Sequence, residues 1–180
     1  MRDTDGRPYT PAVTPRLRKL LVVVFAAVAV LGATGVYLGA ITFLQWLTTQ
    51  PYQTPFYFWM FLLHLGVGLA IVIPFVVFGV LHMRVGLQRP NRRAARMGIA
   101  LFVVSCVVIV AGIVLMKRGL GEPWNSIAYW SHAVGPLAAV VLYVGHRLAG
   151  PAVAWRWGGA WTGAVAAFVA LMVLLHAQDP

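Results

Sequence analysis

Acidic residues are scarce in this chain, with four Asp and Glu among 180 residues against fourteen Lys and Arg. A cation channel or metal-ion pump with an acid-lined pathway finds no support in so few carboxylates. The single cysteine, Cys106, cannot form an internal disulfide, and the absence of a CxxCH motif excludes covalent c-type haem attachment. Walker, nucleophile-elbow and HExxH motifs are also missing, which argues against an independent hydrolase. There is no solenoid repeat, no low-complexity tract and no soluble domain, so the short loops offer no site for a soluble substrate.

What the chain has in abundance is apolar sequence. Apolar residues make up 61% of it and the mean hydropathy is +0.82, a composition outside the soluble range. The expected fold is an all-α integral membrane protein with five transmembrane helices, in which a four-helix bundle is joined by one extra helix. The spans are read as Leu20 to Leu47, Phe56 to His82, Met97 to Met116, Trp124 or Tyr129 to Leu148, and Gly159 to His176. The first is long enough to tilt or overhang. Its apolar core is too long for a signal peptide, so it is read as a retained helix. The expected organisation is a cytoplasmic leader over 1–19, a bundle over 20–148, and an inner loop, fifth helix and short outer tail over 149–180.

A formal charge of +10 invites a nucleic-acid reading, but the basic residues are sorted by loop rather than gathered on one face. Arg2, Arg7, Arg16, Arg18 and Lys19 precede the first span. Arg84, Arg89, Arg92, Arg93 and Arg96 join the second to the third, and Arg147 and Arg156 join the fourth to the fifth. Only Lys117 and Arg118 fall on the other side. The positive-inside rule then puts the N-terminus in the cytoplasm and the C-terminus outside, as in a bacterial-type inner membrane. Trp46, Trp59, Trp124 and Trp130 mark the outer interface, and Trp155, Trp157 and Trp161 the inner one.

Four of the five histidines lie inside the apolar runs, in two ordered pairs. His82 follows His64 by 18 residues, about five helical turns, and His146 follows His132 by 14, close to four. Each pair therefore lies along one helix face. The second and fourth spans run in the same direction, so His64 and His132 share the outer level and His82 and His146 the inner one. An ionisable side chain at membrane depth is costly and calls for a partner. Two facing imidazoles at each of two levels suit haem iron, whose filled axial positions in an electron carrier exclude oxygen. The rise between the two histidines is about 27 Å on the second helix and about 21 Å on the fourth. A kink at Pro74 or unequal tilts must absorb the difference of about 6 Å.

A flat macrocycle also needs small residues near its ligands. Gly66 and Gly68 flank the outer ligand, Gly79 precedes the inner one, Gly135 follows His132, and Gly98 and Gly112 repeat the 14-residue step on the third span. Gly32, Gly35 and Gly39 line one region of the first span. Arg84 and Arg147 inside, with Arg89, and Lys117 or Arg118 outside, are placed to meet haem propionates. They are equally well placed to meet anionic lipid. His176 reads as an interface residue, and Met60, Met83 and Met116 as packing residues.

With these residues the chain resembles the transmembrane di-haem b-type cytochromes, the cytochrome b superfamily that includes small membrane-anchoring subunits. The resemblance covers spans one to four. It implies two haem b groups, His64 with His132 and His82 with His146, relaying electrons between quinone and a redox partner on the outer face. Glu122 or Tyr129 would be the outer proton partner of the quinone. The chain would then be an electron-transfer subunit of an oxidoreductase complex, its partners being membrane lipids and subunits such as a c-type cytochrome, an iron–sulfur protein or a molybdenum-type reductase. No nucleic acid is expected. The 18-residue step is longer than the family's usual spacing, and neither a PEWY motif nor a second four-helix half occurs. Two other readings stay open: a haem-free or single-haem anchor subunit, and a histidine-based transition-metal transporter.

Overall fold

The computed structural model of the protein describes residues 13–88, 91–117, 121–150 and 155–178, apart from the Trp157 side chain. Within them are five helices and no strand: α1 (Pro15–Thr48), α2 (Pro55–Gly86), α3 (Arg92–Met116), α4 (Trp124–Leu148) and α5 (Trp155–Ala177). All five are long and apolar enough to cross a membrane.

The helices start where the chain supplies caps. Thr14 accepts a hydrogen bond from the Leu17 amide and Thr54 one from the Tyr57 amide, and each is followed by a proline whose missing N–H costs nothing in a first turn. Asn91 caps α3 in the same way through the Ala94 amide. α1 ends at Thr49, whose left-handed backbone (φ 57°) stops the helix. Capping explains why α1 begins at Pro15 and not at Leu20, inside the stretch read as a leader. The Thr-Pro pair, and not the first apolar residue, sets the boundary. α3 likewise begins at Arg92, five residues before the apolar run, because Asn91 caps it there.

The helices assemble as two antiparallel hairpins. α3 packs on α4, α1 packs on α2, and α5 lies against α1, with smaller contacts from α2 to α3 and α5. α2 and α4 are not among the packed pairs. A compact apolar cluster forms where α1 meets α5, from Ala33, Tyr37, Ile41 and Met172, with Phe56, Met60 and Phe168 against it. Phe25 of α1 ties the other half together, its ring 5.6 Å from Tyr143 of α4 and 6.5 Å from Trp161 of α5. α5 thus joins the other four helices mainly through α1.

Exposure decides the solvent. Ile73 is 74% exposed, Val141 70% and Leu137 67%, all in mid-helix, and α2 carries apolar residues all round its circumference. A helix apolar on every face must be buried in protein or in lipid. Protein does not cover these residues, so lipid does, and the chain is a multi-pass membrane protein.

His176, read from sequence as an interface residue, is held from the side. Its Nδ1 is 2.8 Å from the hydroxyl of Tyr37, which is 1% exposed, and 3.4 Å from Thr54 Oγ1. This bond fastens the end of α5 to α1. Tyr37→Phe is expected to lower stability by about 0.6 kcal/mol, a typical interhelical hydrogen bond in a membrane protein. Met172→Ala should cost about 2–5 kcal/mol. Thermal or denaturant unfolding in detergent measures both.

Candidate paired-imidazole site

The histidines of α2 and α4 meet at two levels. The ring centroids of His64 and His132 are 6.0 Å apart with planes at 90°, and those of His82 and His146 are 6.2 Å apart at 84°. All four side chains are half-buried. Because α2 and α4 do not pack on each other, the imidazoles span the space between the two helices.

Each helix reaches both levels although the steps along them differ. α2 runs unbroken through Pro74 and α4 through Pro136, so the difference in rise is absorbed within continuous helices that each contain a proline. Pro136 went unnoticed in the sequence reading. It follows His132 by four residues, where its missing N–H withholds the helical bond from the His132 carbonyl and leaves the backbone there freer to adjust.

The Nδ1 atoms of His64, His132 and His146 each bond to an oxygen on a neighbouring helix. His132 Nδ1 lies 3.0 Å from the Val108 carbonyl and His146 Nδ1 2.9 Å from the Ala94 carbonyl, both on α3. A carbonyl cannot donate, so Nδ1 carries a proton in both rings, and in the neutral imidazole Nε2 is then the lone-pair nitrogen. His64 Nδ1 lies 2.9 Å from Thr34 Oγ1, and that hydroxyl donates to the Val30 carbonyl at 2.8 Å. Thr34 therefore accepts from His64, which fixes the same tautomer. Thr34 is fully buried. His82 stacks on Phe78 of its own helix, with ring centroids 5.4 Å apart.

Glycine makes these bonds possible. A helix carbonyl already accepts the amide four residues on, and a ring from a neighbouring helix reaches these two carbonyls past a turn that carries no side chain. Gly112 follows Val108 by four, and a Cβ there would lie 2.8 Å from His132 Cε1. Gly98 follows Ala94 by four, and a Cβ there would lie 3.1 Å from His146 Cε1. At Gly35, one residue past Thr34, a Cβ would stand 3.4 Å from His64 Cε1. The two glycines of α3 and the two histidines of α4 are each 14 residues apart in helices that run oppositely, so one register satisfies both levels.

The other sequence-selected residues lie elsewhere. A Cβ at Gly79 would strike the Phe102 ring, one at Gly135 would meet Val108 and one at Gly68 would touch Leu31. These three glycines let helices approach and do not touch the imidazoles. Arg84 is exposed and Arg147 half-buried, at the end of the bundle nearer His82 and His146. Lys117, Glu122 and Tyr129 are exposed toward the other end, while Arg89 and Arg118 lie outside the described residues. Sequence reasoning missed Thr34 and the two carbonyl acceptors. A lone hydroxyl residue inside an apolar run was the available signal for Thr34, but main-chain acceptors leave none.

The donor set fits a metal held from two opposite sides. Two imidazoles bound to one metal ion at about 2 Å per bond hold their centroids about 6 Å apart. Among the described residues, no group of three or more His, Cys, Asp and Glu side chains comes together as a metal site. Equatorial ligands would have to come from something other than the protein, which is what a macrocycle provides.

The notch predicts a contrast between glycines. Gly112→Ala should cost about 1–3 kcal/mol, because the imidazole must give up its carbonyl or α3 must move off α4. Gly32→Ala, where a Cβ meets nothing within 4 Å, should be neutral or slightly stabilising. Unfolding in detergent checks the difference. Comparisons with family models, with curated proteins and with solved structures return no match to this chain.

Proposed function

We propose that the protein is a membrane b-type cytochrome subunit in which His64 with His132, and His82 with His146, hold two haem irons at two depths of the bilayer. The observation that carries this reading is the facing of two imidazole pairs at 6.0 and 6.2 Å. Haem bound at each level would supply a one-electron couple, so that two levels form a path across the membrane. The protein's own part is to hold three of the four imidazoles, His64, His132 and His146, through Nδ1 so that Nε2 is left for the metal. Nδ1–H bonds to Val108, Ala94 and Thr34 do this, and they raise the basicity of the ligating nitrogen. Paired rather than clustered histidines favour this reading over a metal-ion carrier, which needs three or four protein ligands.

The sorting of the basic residues supports a cytoplasmic N-terminus, which would put the His82 and His146 level inward and the His64 and His132 level outward. Arg84 and Arg147 stand at the inner end to meet propionate or lipid phosphate. A quinone would exchange electrons and protons near the outer level, with Glu122 or Tyr129 as proton partner. The further redox chemistry is assigned in this reading to partner subunits, such as a c-type cytochrome or an iron–sulfur protein.

The reduced protein, expressed with haem, should show an α band near about 560 nm and two haems per chain. His132→Ala should remove one haem and His146→Ala the other. A chain that binds none, or a His132→Ala protein that keeps both, would overturn the assignment. Thr34→Val, which keeps the shape and removes the acceptor, should raise one potential by about 40 mV, the equivalent of about 1 kcal/mol for one hydrogen bond. Redox titration of the outer haem, identified by its loss in His132→Ala, measures that shift.

A further inference from the structure

Asn91 lies outside the apolar spans and is followed directly by the basic pair Arg92 and Arg93. Its two side-chain atoms point to different helices. Oδ1 accepts from the Ala94 amide at 3.0 Å and caps α3, while Nδ2 donates to the Ala149 carbonyl at 2.7 Å, just beyond α4. The same Ala94 whose amide is capped offers its carbonyl to His146 Nδ1 at 2.9 Å. His146 itself is three residues before Ala149. One amide side chain therefore closes a loop of bonds running Asn91, Ala94, His146, Ala149 and back to Asn91.

The position needs such a clamp. Arg92, Arg93 and Arg96 occupy the first turns of α3, where positive charge opposes the helix dipole, and no acidic residue offsets them. A first turn that frays takes the Ala94 carbonyl with it. The start of α3 can also pull away from the end of α4 locally, and a displacement there of one residue's rise, about 1.5 Å, is enough to take Gly98 off the imidazole. The Nδ2 bond to Ala149 opposes this displacement at the end where it matters to His146. His132 has no comparable exposure, since Val108 sits in mid-helix.

We infer that Asn91 is a positioning residue for the inner level: it fixes the first turn of α3 against the end of α4 and so holds His146 in its ligating orientation. The inference rests on the reading of His146 as an iron ligand. Two substitutions separate its two bonds. Asn91→Ala removes both, and Asn91→Asp keeps the capping oxygen while losing the donor to Ala149.

The full-length protein, purified in detergent with haem, is assayed by low-temperature optical and electron paramagnetic resonance spectra, with the levels assigned from His132→Ala and His146→Ala. In Asn91→Ala the inner haem should show a displaced signal and pass to a haem scavenger at least about threefold faster, with the outer haem unchanged. Asn91→Asp should move the same signal in the same direction by less. An inner signal unchanged in both folded variants, or equal displacement of both levels, would overturn the inference. Protein without haem gives a separate readout, the 15N resonance of His146 Nδ1, which should lose its hydrogen-bonded shift in Asn91→Ala and overturns the inference if it does not. A wild-type chain that takes up no haem defeats the reading in the preceding subsection, while this resonance still judges Asn91 by itself.

Discussion

The bond between an imidazole Nδ1–H and an oxygen on the next helix is the constraint on which the arrangement depends. A histidine in an apolar bundle must satisfy its ring nitrogens from within the protein, and a helix offers only carbonyls already engaged by their own amides. The remaining lone pair is reachable where a glycine opens the next turn. Gly112 and Gly98 do this for His132 and His146, and no larger residue fits without displacing the ring. The close packing of α3 on α4 thus follows from the same feature that fixes the tautomer. At His64 the solution differs in kind, with the Thr34 hydroxyl accepting in place of a carbonyl and donating its own hydrogen bond to the Val30 carbonyl.

This constraint divides the labour among the helices. α2 and α4 present the imidazoles, and α1 and α3 stand behind them as acceptors. The presenting helices need not touch, and they do not pack. Apolar burial is concentrated instead at Tyr37, Ile41 and Met172, where α5 braces α1, the helix that carries Thr34. Stability and site are in this way coupled through α1. A change that loosens α5 acts on the acceptor of His64 without coming near the imidazole.

The fold was legible in the sequence because lipid solvation demands long apolar runs and leaves little else possible. All five spans were readable, with errors only at ends such as Pro15 and Arg92, where capping outweighs hydropathy. The pairing of the histidines was legible too, since steps of 14 and 18 residues each return to one helix face. Gly98 and Gly112 could be picked out by their matching step. A Cβ at Gly68, Gly79 or Gly135 would meet Leu31, Phe102 or Val108, neighbours that closeness in sequence to a histidine does not foretell. The acceptors were not legible, because a carbonyl carries no side-chain signature. Nor was the role of Asn91, whose two bonds depend on how the end of α4 falls beside the start of α3.

The opposed 14-residue steps of α3 and α4 carry a mechanical consequence. Both acceptors, Val108 and Ala94, belong to one helix, so their separation is the rise of a single continuous rod, about 21 Å. That spacing is set by main-chain geometry and does not depend on the loops or on the outer helices.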